Sequence, residues 1–491
     1  VETTLREIGL LEDVGSLLSW DQEVNLPAHG TEARAAQIAF ITAEAHRRLT
    51  DPRFISLVRE LLDAKDSSEE QRVNLALVLE DADRAAKLPT DFVSAQAELQ
   101  SKGYAAWEEA KPRGDFAAVA PILAELIAMA RREAEYVGFS GSQYNALLHS
   151  YEPYARIEDV LPVLLDLASS LAPRIAALPV QGADAAPLGF QLTVDQQRIL
   201  CRKVIERIGF DFESGMLSES AHPFAETCGP HDQRLTVTFR ESDPLDALYS
   251  GLHEAGHGLY EQGLRRDFHR QPLGTSVSLG WHESQSRFWE NIVGRSEPFC
   301  AFLLQEMRTL FPGVDGLPLD AGPLWRNRNC ITPGLIRIQA DEVTYNLHIA
   351  IRTLIEVELV EGTLAVSDLP SRWEDLYQRY LGVAPRGHHE GVLQDPHWYC
   401  GLIGYFPTYT LGNLYSAMLW DKLKVEHTGV EGDIESGDFL PILSWLRNSV
   451  HAHGRRHRPL ELCKVATGAD FSSTAFLNYI DQKLGRLGTV S

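Results

Sequence analysis

Positive charge, cysteine and long apolar runs are all in short supply in this 491-residue chain, and each shortage closes off a class of function. Asp and Glu number 68 against 45 Lys and Arg, a formal net charge of −23. Nucleic acid and anionic membrane surfaces both demand a basic face, so neither is an expected partner. The six cysteines (Cys201, Cys228, Cys300, Cys330, Cys400 and Cys463) stand apart, with no CxxC pair. That is too few and too scattered for a disulfide framework or a thiolate metal site, and they read as small buried residues. No apolar run reaches the roughly 18 residues that a membrane-spanning helix needs. The opening stretch VETTLREIGLLEDVG has neither the basic start nor the apolar centre of a secretory signal. A reducing cytoplasm is the expected location.

Strand signals are scarce as well. The clearest is RLTVTFRE (234–241), where Leu235, Val237 and Phe239 alternate with polar residues. It reads as an edge strand able to pair with an extended peptide through its main chain. Helical periodicity fills most of the remainder. The segments 31–51, 116–138 and 157–178 repeat apolar residues every three or four positions. Hydrophobic residues at 44% and charged residues at 23% are ordinary for a globular protein. Proline and glycine punctuate the helices without gathering into a linker, and there is no internal repeat. The expectation is one mostly α-helical domain, 1–491. Residues 1–150 would be scaffold or lid, and 220–415, where histidine and aromatics crowd together, the catalytic region.

Within that region GLHEAGHGLYEQG (251–263) carries two histidines four apart with a glutamate after the first. Ser242 or Asp243 can cap the helix, Pro244 suits its first turn, and Gly263 can end it. Leu245, Leu248, Leu252, Ala255 and Leu259 form its apolar stripe. Four residues rotate by about 40° and rise about 6 Å, so His253 and His257 share a face and can meet one ion. Glu254 lies about 100° around the helix, within reach of a water at that ion as general base. Zinc suits two neutral imidazoles and a carboxylate with one open position. A bare HExxH also arises by chance, so a third ligand is required. Glu283 supplies a candidate in GWHESQSRFWENIVGR (280–295), a helix that Thr275 or Ser276 could cap and Gly294 could end. Glu290, seven residues on, shares its face and is a candidate to orient a ligand imidazole, or is a solvated helix glutamate.

Peptide hydrolysis also needs donors for an oxyanion. His397, Tyr405 and Tyr409 in GVLQDPHWYCGLIGYFPTY (391–409) are candidates, although packed tyrosines with satisfied hydroxyls are commoner. Arg234 and Arg337 could read a substrate carboxylate in bidentate geometry. Their plainer alternatives are a surface arginine and an i,i+4 ion pair with Asp341.

These stretches fall in the order of the motifs of the carboxypeptidase Taq family of zinc metallocarboxypeptidases, which the chain resembles. DQRLT (232–236), HEAGH (253–257), HESQ (282–285), IRIQAD (336–341) and GVLQDPHW (391–398) match its signatures, and the likeness extends over essentially the whole chain. The resemblance implies a helical, bilobed fold with a deep substrate groove and a small edge β-sheet, similar to neurolysin and angiotensin-converting enzyme. It implies one Zn2+, or Co2+ as a substitute, on His253, His257 and Glu283, with Glu254 as general base. It implies release of single C-terminal residues with broad tolerance from peptides with a free C-terminus, and a homodimer. Arg234 and Arg337 fall in motifs associated with the blocked end of the groove. The competing expectations are an oligopeptidase that cuts internally or removes dipeptides, and a non-catalytic helical scaffold.

Overall fold

A computed structural model describes residues 1–64, 67–178 and 188–488. The three periodic segments fold as helices Thr31–Leu49, Phe116–Val137 and Ile157–Ala176. Their stripes behave unequally. Val119, Leu123, Ile127 and Ala130 of the second, and Val160, Leu164, Leu167, Leu171 and Ile175 of the third, are buried in the central core. Thr31–Leu49 buries no residue fully; it lies along the first helix, Glu2–Val24, at the surface.

Two cores result. The large one runs from Ala110 to Ile480 and holds nearly all the buried aromatics. The small one consists of Leu5, Phe54, Ile55, Val58, Leu75, Val78 and Ala82, all from the N-terminal helices. Those helices have good local signals: Asp51 caps Pro52–Asp63, and Ser68 with Gln71 forms a capping box on Glu69–Ala86.

The sheet is three short strands, β1 (Gly215–Glu219), β2 (Ala225–Gly229) and β3 (Asp232–Val237), in the order β1-β3-β2. β1 runs parallel to β3, and β2 antiparallel. This corrects the edge reading of 234–241. The strand stops at Val237, and β3 is central, its main chain paired on both sides. Leu235 and Val237 are buried against the next helix and Thr236 is buried on the opposite face, which suits a middle strand; a peptide has no free edge of β3 to join, and the open edges belong to β1 and β2.

Candidate metal centre and active site

The helix Asp246–Gly263 carries both histidines and ends where expected, at Gly263. Its start differs from expectation. Neither Ser242 nor Asp243 is its cap; Leu245 precedes the first turn with no side-chain cap. Asp243 instead accepts from Leu245 N at 3.0 Å and pairs with Arg328, closing a turn just outside the helix. The expected stripe is buried throughout, and so are Ala247, Tyr249 and Tyr260, because protein surrounds the helix on nearly every side.

Glycine allows this crowding. A Cβ at Gly256 would lie 2.5 Å from Gln285 O and 2.6 Å from Ser286 Cα, so the backbone of Leu279–Arg287 rests directly on the HExxH helix. From the other side a Cβ at Gly412, in helix Pro407–Glu426, would lie 2.6 Å from Glu283 Cγ. Leu279–Arg287 is thus held between two helices. Its cap is Ser278, whose side chain accepts from Trp281 N, rather than Thr275 or Ser276, which sit in the preceding loop. The helix continues through a wide π-helical turn, Phe288–Val293, and Gly294 follows it. Such turns often mark functional positions, and this one contains Glu290.

The candidate ligands converge. Nε2 of His253 and Nε2 of His257 each stand 3.7 Å from the same oxygen, Glu283 Oε2. One ligand atom from each of the three lies within 4.8 Å of the others. Every other polar atom of the set is occupied. His253 Nδ1 meets Glu290 at 2.9 Å. His257 Nδ1 meets His282 Nδ1 at 2.5 Å, and His282 Nε2 meets Glu261 at 3.0 Å. Glu283 Oε1 accepts from Arg287 Nε at 2.7 Å. With both Nδ1 atoms engaged, each ring presents Nε2 toward Glu283, as outer-shell partners do for ligating histidines.

The electrostatics fit a cation. Burial, helped by His282, pushes the His257 pKa well down, which leaves a neutral ring with a lone pair. Burial opposes charge on His253 as well, yet Glu283 and Glu290 outweigh it and raise its pKa, so the local field favours positive charge. Glu290 stays ionised despite burial because His253, Arg287 and Arg295 surround it. Two imidazole nitrogens and one carboxylate oxygen facing one point are a donor set that can hold a metal ion. Beside them Glu254 is buried, and desolvation lifts its pKa to about 7, with His253 opposing and Glu283 and Glu290 adding.

His397, Tyr405 and Tyr409 form one cluster. His397 Nε2 is 3.3 Å from Tyr409 OH, and the two tyrosine rings are 5.3 Å apart, edge to face. Burial lowers His397 to about 4 and raises both tyrosines, with Glu283 adding to the rise at each, so all three are neutral at pH 7. Tyr405 also packs edge-on against Tyr151.

The arginines part company. Arg234 makes a bidentate pair with Asp232 and lies 4.3 Å over the Trp20 ring. It lines a cavity of about 260 Å³ together with His257, His282 and Arg270. A second cavity, about 480 Å³, shares Thr275 and Ser276 with it and runs between Arg84 of the N-terminal helices and Arg455 of the body. Arg337 is buried and does not pair with Asp341. Only residues 337–339 make a single 3-10 turn and the chain is extended at Ala340, so i,i+4 geometry never forms. Its Nη2 and Nε donate to Asp395 at 2.7 and 3.0 Å and its Nη1 to Tyr345 OH at 2.8 Å. Asp341 instead accepts from the backbone of Thr332, Val343 and Thr344.

Four residues of this centre went unread in the sequence: Glu261, His282, Arg287 and Arg295. Three had a local signal. Glu261 follows His257 by four residues, Arg287 follows Glu283 by four, and His282 stands next to Glu283. Arg295 had none, since the π-helical turn sets its reach to Glu290.

A family model described as carboxypeptidase Taq (M32) metallopeptidase matches residues 1–484. Thermostable carboxypeptidase 1 of Thermus thermophilus is 37% identical over 497 residues, a match spanning 98% of this chain and 97% of that one. Carboxypeptidase 1 of Bacillus subtilis is 33% identical over 486 residues, spanning 98% and 97%. Among solved structures, an M32 carboxypeptidase from Deinococcus radiodurans R1 superposes with a TM-score of 0.95 at 36% identity, covering 99% of this chain and 98% of that one. Metallocarboxypeptidase 1 of Trypanosoma cruzi gives 0.92 at 31% identity, covering 98% of each.

Proposed function

The chain belongs to the carboxypeptidase Taq (M32) family of metallopeptidases and is a metal-dependent carboxypeptidase; from that premise we propose that it uses zinc, and Glu254 as general base, to release single C-terminal residues with broad tolerance. The observation that carries this reading is the meeting of two Nε2 atoms on one oxygen of Glu283 beside the buried Glu254.

His253, His257 and Glu283 would hold the ion, Zn2+ with Co2+ as a working substitute. Such an ion acidifies water and polarises the scissile carbonyl. The chain's own residues do the rest. Glu254, poised near neutrality, takes the proton from the attacking water and returns it to the leaving amine. His397, Tyr405 and Tyr409 supply neutral donors to the oxyanion. Arg234 opens on the cavity that contains His257, which suits it to the substrate's terminal carboxylate. Arg337 serves the substrate through Tyr409, whose ring lies 5.2 Å from its guanidinium.

Three further readings belong with this one. Residues 1–150 contribute a lid, supported by the cavity between Arg84 and Arg455. The working form is a homodimer, supported by the exposed apolar side chains Leu10, Val14 and Leu17 on the first helix and Phe40 on the second. The location is cytoplasmic, supported by six free cysteines. Among the described residues no helix is long and apolar enough to cross a membrane.

The test is mass spectrometry of a peptide offered as free acid and as C-terminal amide, with and without chelator. A ladder of single losses from the acid alone, abolished by chelator and restored by Zn2+ or Co2+, is expected. Equal cleavage of the amide would point to an oligopeptidase instead.

A further inference from the structure

We propose that Arg352 and Glu356, which lie outside every motif named above, are positioning residues that grip the loop 395–404 on both sides of His397 and so aim His397 and Tyr405 at the reacting carbonyl. The inference rests on the reading of His397 as an oxyanion donor.

Both residues come from one helix, Tyr345–Glu361, one turn apart and therefore on one face. Both are wholly buried. Arg352 Nε donates to Asp395 Oδ2 at 2.7 Å, while Arg337 holds Oδ1 of the same carboxylate. Arg352 is itself braced, its Nη1 donating to His348 O at 3.0 Å. Glu356 takes the other side of the loop. Its Oε1 accepts from Trp398 Nε1 at 2.8 Å, and its Oε2 accepts from Gly404 N at 3.1 Å and from Tyr144 OH at 2.5 Å. The grips therefore fall two residues before His397, one residue after it, and immediately before Tyr405.

The loop needs such help. It is a series of turns with no strand or helix ladder to set its shape. At Gly404 φ is +94°, and a Cβ there would lie 2.9 Å from Leu147 C, so the chain is folded tightly against the helix of residues 144–148. Burying an arginine and a glutamate without solvent is costly, and apolar residues of similar size would fill the same space more cheaply. What apolar packing does not provide is direction. A carboxylate receiving an indole N–H, a backbone N–H and a phenol O–H fixes angles as well as distances, which matters where a shift of about 1 Å can cost a hundredfold in rate.

The experiment is a double-mutant cycle between Glu356→Gln and His397→Ala in the metal-loaded enzyme, with kcat, KM, metal content and Tm measured for each. Glutamine keeps the size but sets an amide N–H among three donors. The expected result is kcat lower by about 10- to 100-fold in Glu356→Gln, with KM and metal content unchanged and a smaller further loss, the share carried by Tyr405, when it is added to His397→Ala. A purely structural role would cost the same in both backgrounds. Trp398→Phe, which removes one donor and keeps a ring, is the milder variant and must show the same loss in kcat if Glu356→Gln does not fold. Wild-type kcat in a folded Glu356→Gln or in Trp398→Phe, or equal losses in the two backgrounds, overturns the proposal while leaving His397 in place. Wild-type kcat in His397→Ala removes the reading of His397, and the proposal falls with it.

Discussion

The N-terminal helices and the body around the candidate metal centre are built by different rules. Around the centre, helices pack closely at Gly256 and Gly412, and several buried charges are paired: Glu283 with Arg287, Glu290 with Arg295, Asp395 with two arginines. The N-terminal helices own a core of seven residues. They meet the body through ion pairs as well as packing: the partly buried Asp13 with His269 and Arg270, and the more exposed Glu70 with Arg265 and Arg456 and Asp81 with Arg455. Close packing transmits displacement and holds geometry; exposed ion pairs are worth little each and reform easily.

The largest effect lies in the body. Glu254→Gln should keep its metal, by elemental analysis, and lose about 10²- to 10⁴-fold in kcat; near-normal turnover would remove Glu254 as the base. Next comes a matched pair of glycine substitutions. Gly256→Ala should lower unfolding free energy by about 1–3 kcal/mol, because its Cβ meets backbone that side-chain motion cannot move away. Gly15→Ala, in the first helix, meets only Ile41 Cγ2 at 3.7 Å and should raise it by about 0.5–1 kcal/mol. Equal effects in denaturant titrations would erase the contrast between the regions.

A pH comparison sharpens it further. Burial lifts Glu152 from 4.5 to about 7, with its donors Ser278, Tyr415 and Gly280 opposing. An acid whose folded pKa is raised keeps its proton in the fold after the unfolded chain has released it, so its contribution falls as pH rises from 4.5 to 7. Burial lowers His451 from 6.5 to about 3. There the unfolded chain binds the proton first, and the contribution falls as pH drops from 6.5 toward 3. Relative to wild type, Glu152→Gln should gain Tm on going from pH 5 to pH 7, and His451→Gln should gain on the reverse path; parallel shifts would contradict both assignments. The smallest effect belongs to the N-terminal helices. Asp81→Asn should speed hydrogen exchange in Glu69–Ala86, by less than about 1 kcal/mol, and leave the HExxH helix as protected as before.

Much of this molecule was legible in its chain. The helices at 116 and 157 announce themselves because a buried helical face must repeat every three or four residues, and the one at 31 carries the same repeat although it buries none of it fully. His253, Glu254 and His257 were legible because four residues on a helix return to one side, and Glu283 because a second short motif pointed to it. Reading failed where the deciding contact was distant or the backbone departed from a regular repeat. The alternation of Leu235, Val237 and Phe239 signals a strand but not its neighbours, so a central strand was read as an edge. Capping depends on where the first turn begins, which packing moved to Asp246 in one helix and to Leu279 in the other. The spacing of Arg337 and Asp341 suggested an ion pair that needs a helix, and the chain there makes only one 3-10 turn.

The sequence by itself determined the periodicity of the helices, the shared face of the two histidines and the chemical type of each candidate ligand, because these depend on neighbours a few residues away. Only the tertiary structure decided that both Nε2 atoms meet one oxygen of Glu283, that Glu254 is dry enough to hold its proton near neutrality, and that Asp395 and Trp398 are gripped from a helix more than forty positions away. Desolvation and aim are properties of everything packed around a group, and no short stretch of chain contains them.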